Sequence, residues 1–266
     1  MPSSLPLHCA STAAACAALL GALAPLHATA ADAPASELSR YWELDPEDQR
    51  GELRFVSYRP NYILPLHVTS RINRAPQSPT QAAVAMPDYQ RVEAKFQLSL
   101  RTKLVQNAFD SGADLWAGFT QQALWQVFNG QDSAPFRNTD YEPELMLVLP
   151  TRPAWRGLPG GWQWRYTQFG VAHQSNGQSD PLSRSWNRVY LAGGIEQGPW
   201  SLTAKVTQRL NEPVETDNNP DLASYRGRAE LRLRWYVQAF SGYGETLTDY
   251  NFRQTSVGAG VMFSPF

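Results

Sequence analysis

VEAKFQLSLR, Val92–Arg101, alternates without a break: Val92, Ala94, Phe96, Leu98 and Leu100 at even positions, Glu93, Lys95, Gln97, Ser99 and Arg101 at odd ones. Successive side chains on a strand point to opposite faces, so the pattern predicts a strand with one apolar and one wet face. A soluble sandwich also has such strands, so repetition decides. Leu202, Ala204 and Val206 alternate with Ser201, Thr203, Lys205, Thr207 and Arg209; Ala229, Leu231, Leu233 and Trp235 alternate with Arg226, Arg228, Glu230, Arg232 and Arg234. Near the end, Thr255, Val257, Ala259, Val261 and Phe263 oppose Gln254, Ser256, Gly258 and Gly260. Rows of long charged side chains on one face suit a wet barrel lumen, and strands of about ten residues match the 9–11 needed to cross a bilayer at a tilt.

Working outward, candidate strands fall near 53–68, 91–101, 114–128, 141–150, 161–174, 184–194, 199–210, 224–235, 236–243 and 253–264. The predicted fold is all-β, an antiparallel transmembrane β-barrel of ten strands. Its connections alternate between long polar loops, such as 212–223, and short turns, such as Gln197-Gly198. A reversal is required at Trp235-Tyr236, where no turn residue stands, and the chain closes on the aromatic Phe266.

The composition agrees. The chain of 266 residues carries 9 Trp, 11 Tyr and 11 Phe at a mean hydropathy of -0.41, too polar for a helical membrane protein. A net charge of -1 gives no reason to expect nucleic acid as a partner. The apolar run Ala13–Ala24, followed by Ala28-Thr29-Ala30, reads as a secretory signal over residues 1–30. Both cysteines, Cys9 and Cys16, fall in it. Residues 31–51, acidic and rich in Pro and Ala, read as an extended arm, and 52–266 as the barrel domain.

One loop carries reactive groups. HQSNGQSDPLSRSWNR, His173–Arg188, follows a strand whose apolar face holds Phe169 and Val171. By parity His173 and Ser175 share that face. In the next strand Asn187 shares the apolar face of Val189 and Leu191, so it can lie beside His173. These are a nucleophile, a base and an orienter of the base. A His-x-Ser pair on a strand is more often incidental, and Asn-Gly is usually only a turn. Polar groups on a lipid-facing wall carry a desolvation cost, however. Asp180, Ser183 and nearby carbonyls are oxygen donors of the kind calcium takes. Gln121 shares a greasy face with Leu115, Ala117 and Phe119, as an inward-turned amide or as a self-association contact.

The His173–Arg188 run resembles the outer membrane phospholipase A family. So do Ser133-Ala134-Pro135-Phe136-Arg137, Tyr141-Glu142-Pro143, Asn219-Pro220-Asp221, and Ser241–Glu245 with Asp249–Phe252. The resemblance spans about Asn61 to Phe266. It implies a twelve-stranded outer-membrane barrel that hydrolyses acyl esters of phospholipids and lysophospholipids (A1/A2 activity) with Ca2+, active as a homodimer. Carried over, Ser175 is the nucleophile, His173 the base and Asn187 its orienter, with the Gly177 or Ser175 N–H in the oxyanion hole. Calcium is implied at the Ser183 side chain and the Gln178 and Ser183 carbonyls, with Ser133 from the other subunit. Asp180 matches a second calcium site, and Gln121 the family's interface glutamine.

Three departures stand out. Gln178 replaces an Arg, and Asn218 stands where the second calcium site has an Asp. The segment between Tyr225 and Tyr243 is also short by about two strands, ~20–30 residues. Losing a hairpin keeps strand parity even, which gives ten strands rather than twelve. The alternative readings are a catalytically impaired barrel or small channel, and a soluble periplasmic esterase.

Overall fold

A computed structural model describes residues 36–198, 200–213, 215–226, 229–233 and 239–263. The expected signal segment, the Trp235-Tyr236 reversal and Phe266 lie outside the described residues. Eleven strands form one antiparallel sheet: β1 (Phe55–Ser57), β2 (Asn61–Thr69), β3 (Val92–Ala108), β4 (Ala113–Trp125), β5 (Phe136–Pro150), β6 (Gln163–Ser175), β7 (Ser185–Gln197), β8 (Trp200–Arg209), β9 (Ala229–Leu233), β10 (Ala239–Tyr243) and β11 (Arg253–Phe263).

Ten of them follow one path, β10-β11-β2-β3-β4-β5-β6-β7-β8-β9, while β1 pairs only with β3. The C-terminal strand closes against the N-terminal one, with Val257 opposite Val68 and Phe263 opposite Asn61. That pairing joins the first and last parts of the chain in one sheet, as a barrel requires. Among the described residues no ladder joins β9 to β10, the two ends of the path. No described helix is long and apolar enough to cross a membrane.

Several sequence-based boundaries differ from the structure: β3 runs on to Ala108 rather than Arg101, and β5 begins at Phe136 rather than Tyr141. The span 53–68 is broken into β1 and β2, because Pro60 has no N–H for the ladder. The span 224–235 begins inside a short helix, α2 (Leu222–Tyr225), and its described strand is Ala229–Leu233.

The charged faces point inward. On β3, Glu93, Lys95, Ser99 and Arg101 are buried, while Leu98 is 47% exposed on the outer wall. A buried charge is tolerated only when paired, and the lumen supplies partners. Arg59 contacts Glu142 at 2.5 Å and Glu144 at 2.7 Å. Lys103 bridges Glu43 at 2.9 Å and Asp114 at 2.7 Å, and Arg137 contacts Glu93 at 2.8 Å and also Asp249. Gly170 is required there: a Cβ on it would lie 2.2 Å from Tyr190 Cζ. The Tyr190 hydroxyl donates to Glu144 at 2.6 Å.

From Ser36 on, the arm is not simply extended. Residues Glu37–Trp42 form a helix, α1, with the Ser36 hydroxyl capping the Ser39 N–H at 2.9 Å. Leu38 and Trp42, four apart and so on one helix face, pack in the lumen against Trp116, Met146, Tyr166 and Tyr190. The Arg101 guanidinium stands 3.6 Å from the Tyr41 ring centroid and 4.5 Å from that of Trp42. The arm thus fills one end of the barrel, the end with the connections after Ala108, Pro150 and Gln197. The connections after Thr69, Trp125, Ser175, Arg209 and Tyr243 share the opposite end.

Candidate active site

At that second end β6 and β7 pair directly, with His173 opposite Asn187 and Ser175 opposite Ser185. Burial alternates along β6: Val171 and His173 are exposed, while Gly170, Ala172 and Gln174 are buried. The His173, Ser175 and Asn187 side chains therefore project from the outer wall, as parity predicts. His173 Nδ1 and Asn187 Oδ1 are 2.9 Å apart. An amide oxygen only accepts, so this contact puts the proton on Nδ1 and leaves Nε2 as the basic nitrogen. Among the described residues no hydrogen bond joins the Ser175 hydroxyl to His173. Nucleophile–base contacts are often loose in ligand-free sites.

The turn after Ser175 is fixed from within. Asn176 is buried; its Oδ1 accepts the Arg184 N–H at 2.9 Å, and its Nδ2 donates to the Leu182 carbonyl at 2.7 Å. It is a clasp across the loop as well as part of a turn signal. Gly177 follows at φ +63, and its N–H bonds to no described residue, so it is available to an oxyanion. Tyr141 lies against this glycine and opposite Ser175 in the sheet register. Gln121 is opposite Tyr141 on the other side. The outer wall thus carries a row Gln121–Tyr141–Ser175, with neighbours about 5 Å apart.

The oxygen donors divide into three places. Ser183 Oγ accepts the Asn218 Nδ2 donor at 2.8 Å, and its carbonyl accepts Arg184 Nη1 at 2.7 Å. Gln178 is exposed, its N–H reaching Asn176 Oδ1 at 3.3 Å. Ser133 lies apart, exposed in the β4–β5 connection at φ 55, and shares no hydrogen bond with Ser183 or Gln178. Ser183 Oγ and the Ser183 and Gln178 carbonyls are oxygens, the type of donor that a hard cation takes.

Asp180 belongs elsewhere: its Oδ1 accepts Gln81 Nε2 at 3.1 Å, and the same amide reaches Asn218 Oδ1 at 2.9 Å. One carboxylate and two side-chain amides are a poor match to the carboxylate-rich sites of calcium. No cluster of three or more His, Cys, Asp or Glu suited to a metal occurs among the described residues. Beneath the loop Arg184 is buried, and burial lowers its pKa against the opposing pull of Tyr250, Asp180 and Asp221.

Two residues escaped sequence reasoning. Tyr141 was visible only as part of a motif. Glu212, whose Oε1 accepts Asn187 Nδ2 at 2.9 Å, carries no local signal, because its partner is 25 residues earlier and the contact is made by a loop.

The model of the family described as phospholipase A1 matches residues 38–235 and 230–263. The two pieces meet where the chain is short between Tyr225 and Tyr243. The phospholipase A1 of Escherichia coli K12 is 35% identical over 243 residues, covering 78% of this chain and 80% of that protein. A putative phospholipase A1 of Neisseria meningitidis is 36% identical over 269 residues, covering 85% and 70%. Among solved structures, the Escherichia coli outer membrane phospholipase A superposes with a TM-score of 0.66 at 33% identity, covering 80% of this chain and all of that one. The Salmonella typhi outer membrane phospholipase, a dimer with bound calcium, gives 0.68 at 31% identity, covering 85% and 96%. A chain that matches the family model over most of its length and these relatives at 35–36% identity belongs to the phospholipase A1 family of the bacterial outer membrane.

Proposed function

We propose that the chain hydrolyses acyl esters of phospholipids and lysophospholipids with Ser175 as nucleophile, His173 as base and Asn187 as orienter. The observation that carries this reading is the His173–Asn187 contact of 2.9 Å on the outer wall, beside Ser175 on the same face. A hydroxyl there meets a lipid without the lipid leaving the bilayer. Ser175 Oγ attacks the ester carbonyl carbon and its proton passes to His173 Nε2. The Gly177 N–H donates to the oxygen that becomes negative. The C–O bond then breaks, the leaving lysolipid oxygen takes the proton from His173, and the acyl group stays on Ser175. Water, deprotonated by the same nitrogen, releases the fatty acid.

Calcium fits the Ser183 side chain and the Gln178 and Ser183 carbonyls, and Ser133 of a second copy would complete the set. Bound there, the cation would supply positive charge near the developing oxyanion. The Salmonella typhi relative, a calcium-bound dimer, supports both the metal and a homodimer, with Gln121 as the interface glutamine.

In detergent, Ser175→Ala should abolish phospholipid hydrolysis while the folded barrel keeps its heat-modifiable migration. Unchanged turnover would remove Ser175 from the chemistry. Activity should fall to background in excess chelator and return with calcium.

One observation favours a second reading. The segment between Tyr225 and Tyr243 is about two strands shorter than the family expects, which suits an impaired barrel or a small channel. Conductance in planar bilayers without any ester hydrolysis would favour that reading.

A further inference from the structure

A side-chain amide is an ambiguous orienter. Its oxygen and nitrogen ends have nearly the same shape, and only the oxygen end can accept from the imidazole. Asn187 is held from behind. Beyond β8 the ladder continues one residue, with the Leu210 N–H donating to the Asn187 carbonyl at 2.9 Å. The chain then runs on through Asn211 to the half-buried Glu212, which lies against Asn187. Glu212 Oε1 accepts Asn187 Nδ2 at 2.9 Å, on the opposite side of the amide from the 2.9 Å contact with His173.

The loop that carries Glu212 is anchored. Arg209 grips Asp217 with bonds of 2.8 and 2.7 Å and reaches the Asn219 carbonyl at 2.8 Å. The Thr216 and Asp217 N–H groups both bond the Pro213 carbonyl at 3.0 Å.

An ionised carboxylate can only accept, so it selects the NH2 end of Asn187 and turns the oxygen end towards His173. It also polarises the amide, and hydrogen bonds in such a chain strengthen one another. A neutral orienter stabilises an imidazolium less than a carboxylate does; a carboxylate one step further back restores part of that charge. We infer that Glu212 is a positioning residue for Asn187, extending the relay on the outer wall to Ser175–His173–Asn187–Glu212. This rests on the triad proposed above and deepens it.

The test is a double-mutant cycle on detergent-folded, calcium-loaded enzyme with a phospholipid substrate. Glu212→Ala should lower kcat roughly tenfold, the size expected for one charge-assisted hydrogen bond, with KM and heat-modifiable migration little changed. Glu212→Gln keeps the shape but not the charge and should fall between. In an Asn187→Ala background, Glu212→Ala should cost nothing further. A Glu212→Ala enzyme as active as wild type would overturn the inference. So would an equal loss in both backgrounds, since Glu212 would then act by another route. Should Ser175→Ala and Asn187→Ala keep full activity, the triad itself falls, and Glu212 with it. Inactive Ser175→Ala beside an unaffected Glu212→Ala sinks the Glu212 role alone.

Discussion

Gly177 has little freedom to be anything else. Its φ of +63 is a conformation that residues with a Cβ adopt at a cost of roughly 1–2 kcal/mol, and an added Cβ would lie 3.0 Å from Tyr141 Cε2. Both effects move the turn that aims the proposed oxyanion donor. Gly177→Ala is expected to lower kcat at least tenfold while the barrel still folds, measured by single-turnover kinetics alongside gel migration. At this scale the sequence was uneven as a guide. His173, Ser175 and Asn187 could be read because strand parity is a local rule. Glu212 and the Asn176 clasp could not, because hydrogen bonds between loops leave no periodic trace.

The element that closes the site end of the lumen is the β10–β11 connection, through Glu245. Its carboxylate contacts Lys95 at 2.8 Å and His67 at 3.1 Å, and takes further bonds from Gln254 and Ser256 at 2.7 Å. Burial alone would raise its pKa, but the His67 hydrogen bond and the Lys95 ammonium outweigh it and hold the group well below the usual carboxylate range. A depressed folded-state pKa contributes stability that is fully present above the unfolded value of 4.5 and drains away as pH falls towards the folded one. Thermal stability in detergent should therefore drop below about pH 4.5, and Glu245→Gln should flatten that drop. Glu245→Ala leaves Lys95 unpaired in the lumen and should cost about 3–5 kcal/mol in denaturant titration at neutral pH.

The α1 plug works by packing instead. Trp42, 3% exposed, sits 5.9 Å from the Trp116 ring centroid and 5.7 Å from that of Tyr166. Trp42→Ala should cost about 3–5 kcal/mol, again by denaturant titration. The α1 plug was hidden in the sequence: six helical residues in an acidic, Pro/Ala-rich setting are too few to show a period, and their burial depends on the barrel around them.

For the whole molecule the place to test is the seam between β9 and β10. Among the described residues β9 and β10 end the sheet path with no ladder between them, and an unpaired edge exposes a row of backbone donors and acceptors. Backbone amides of 229–233 and 239–243 should exchange with deuterium much faster than those of β3 to β7. Equal protection around the barrel would mean that the seam closes in the membrane.

The sequence by itself determined the strands, their inner and outer faces and the outward aim of the proposed triad, since a period of two is written residue by residue. Its resemblance to the family also exposed the shortened stretch between Tyr225 and Tyr243, because segment lengths can be compared along two chains. The tertiary structure alone decided that the arm fills the lumen, that Gln81 bridges Asp180 and Asn218, and that Glu212 backs Asn187. Those contacts join segments far apart in sequence, and only the closing of the barrel brings them within reach.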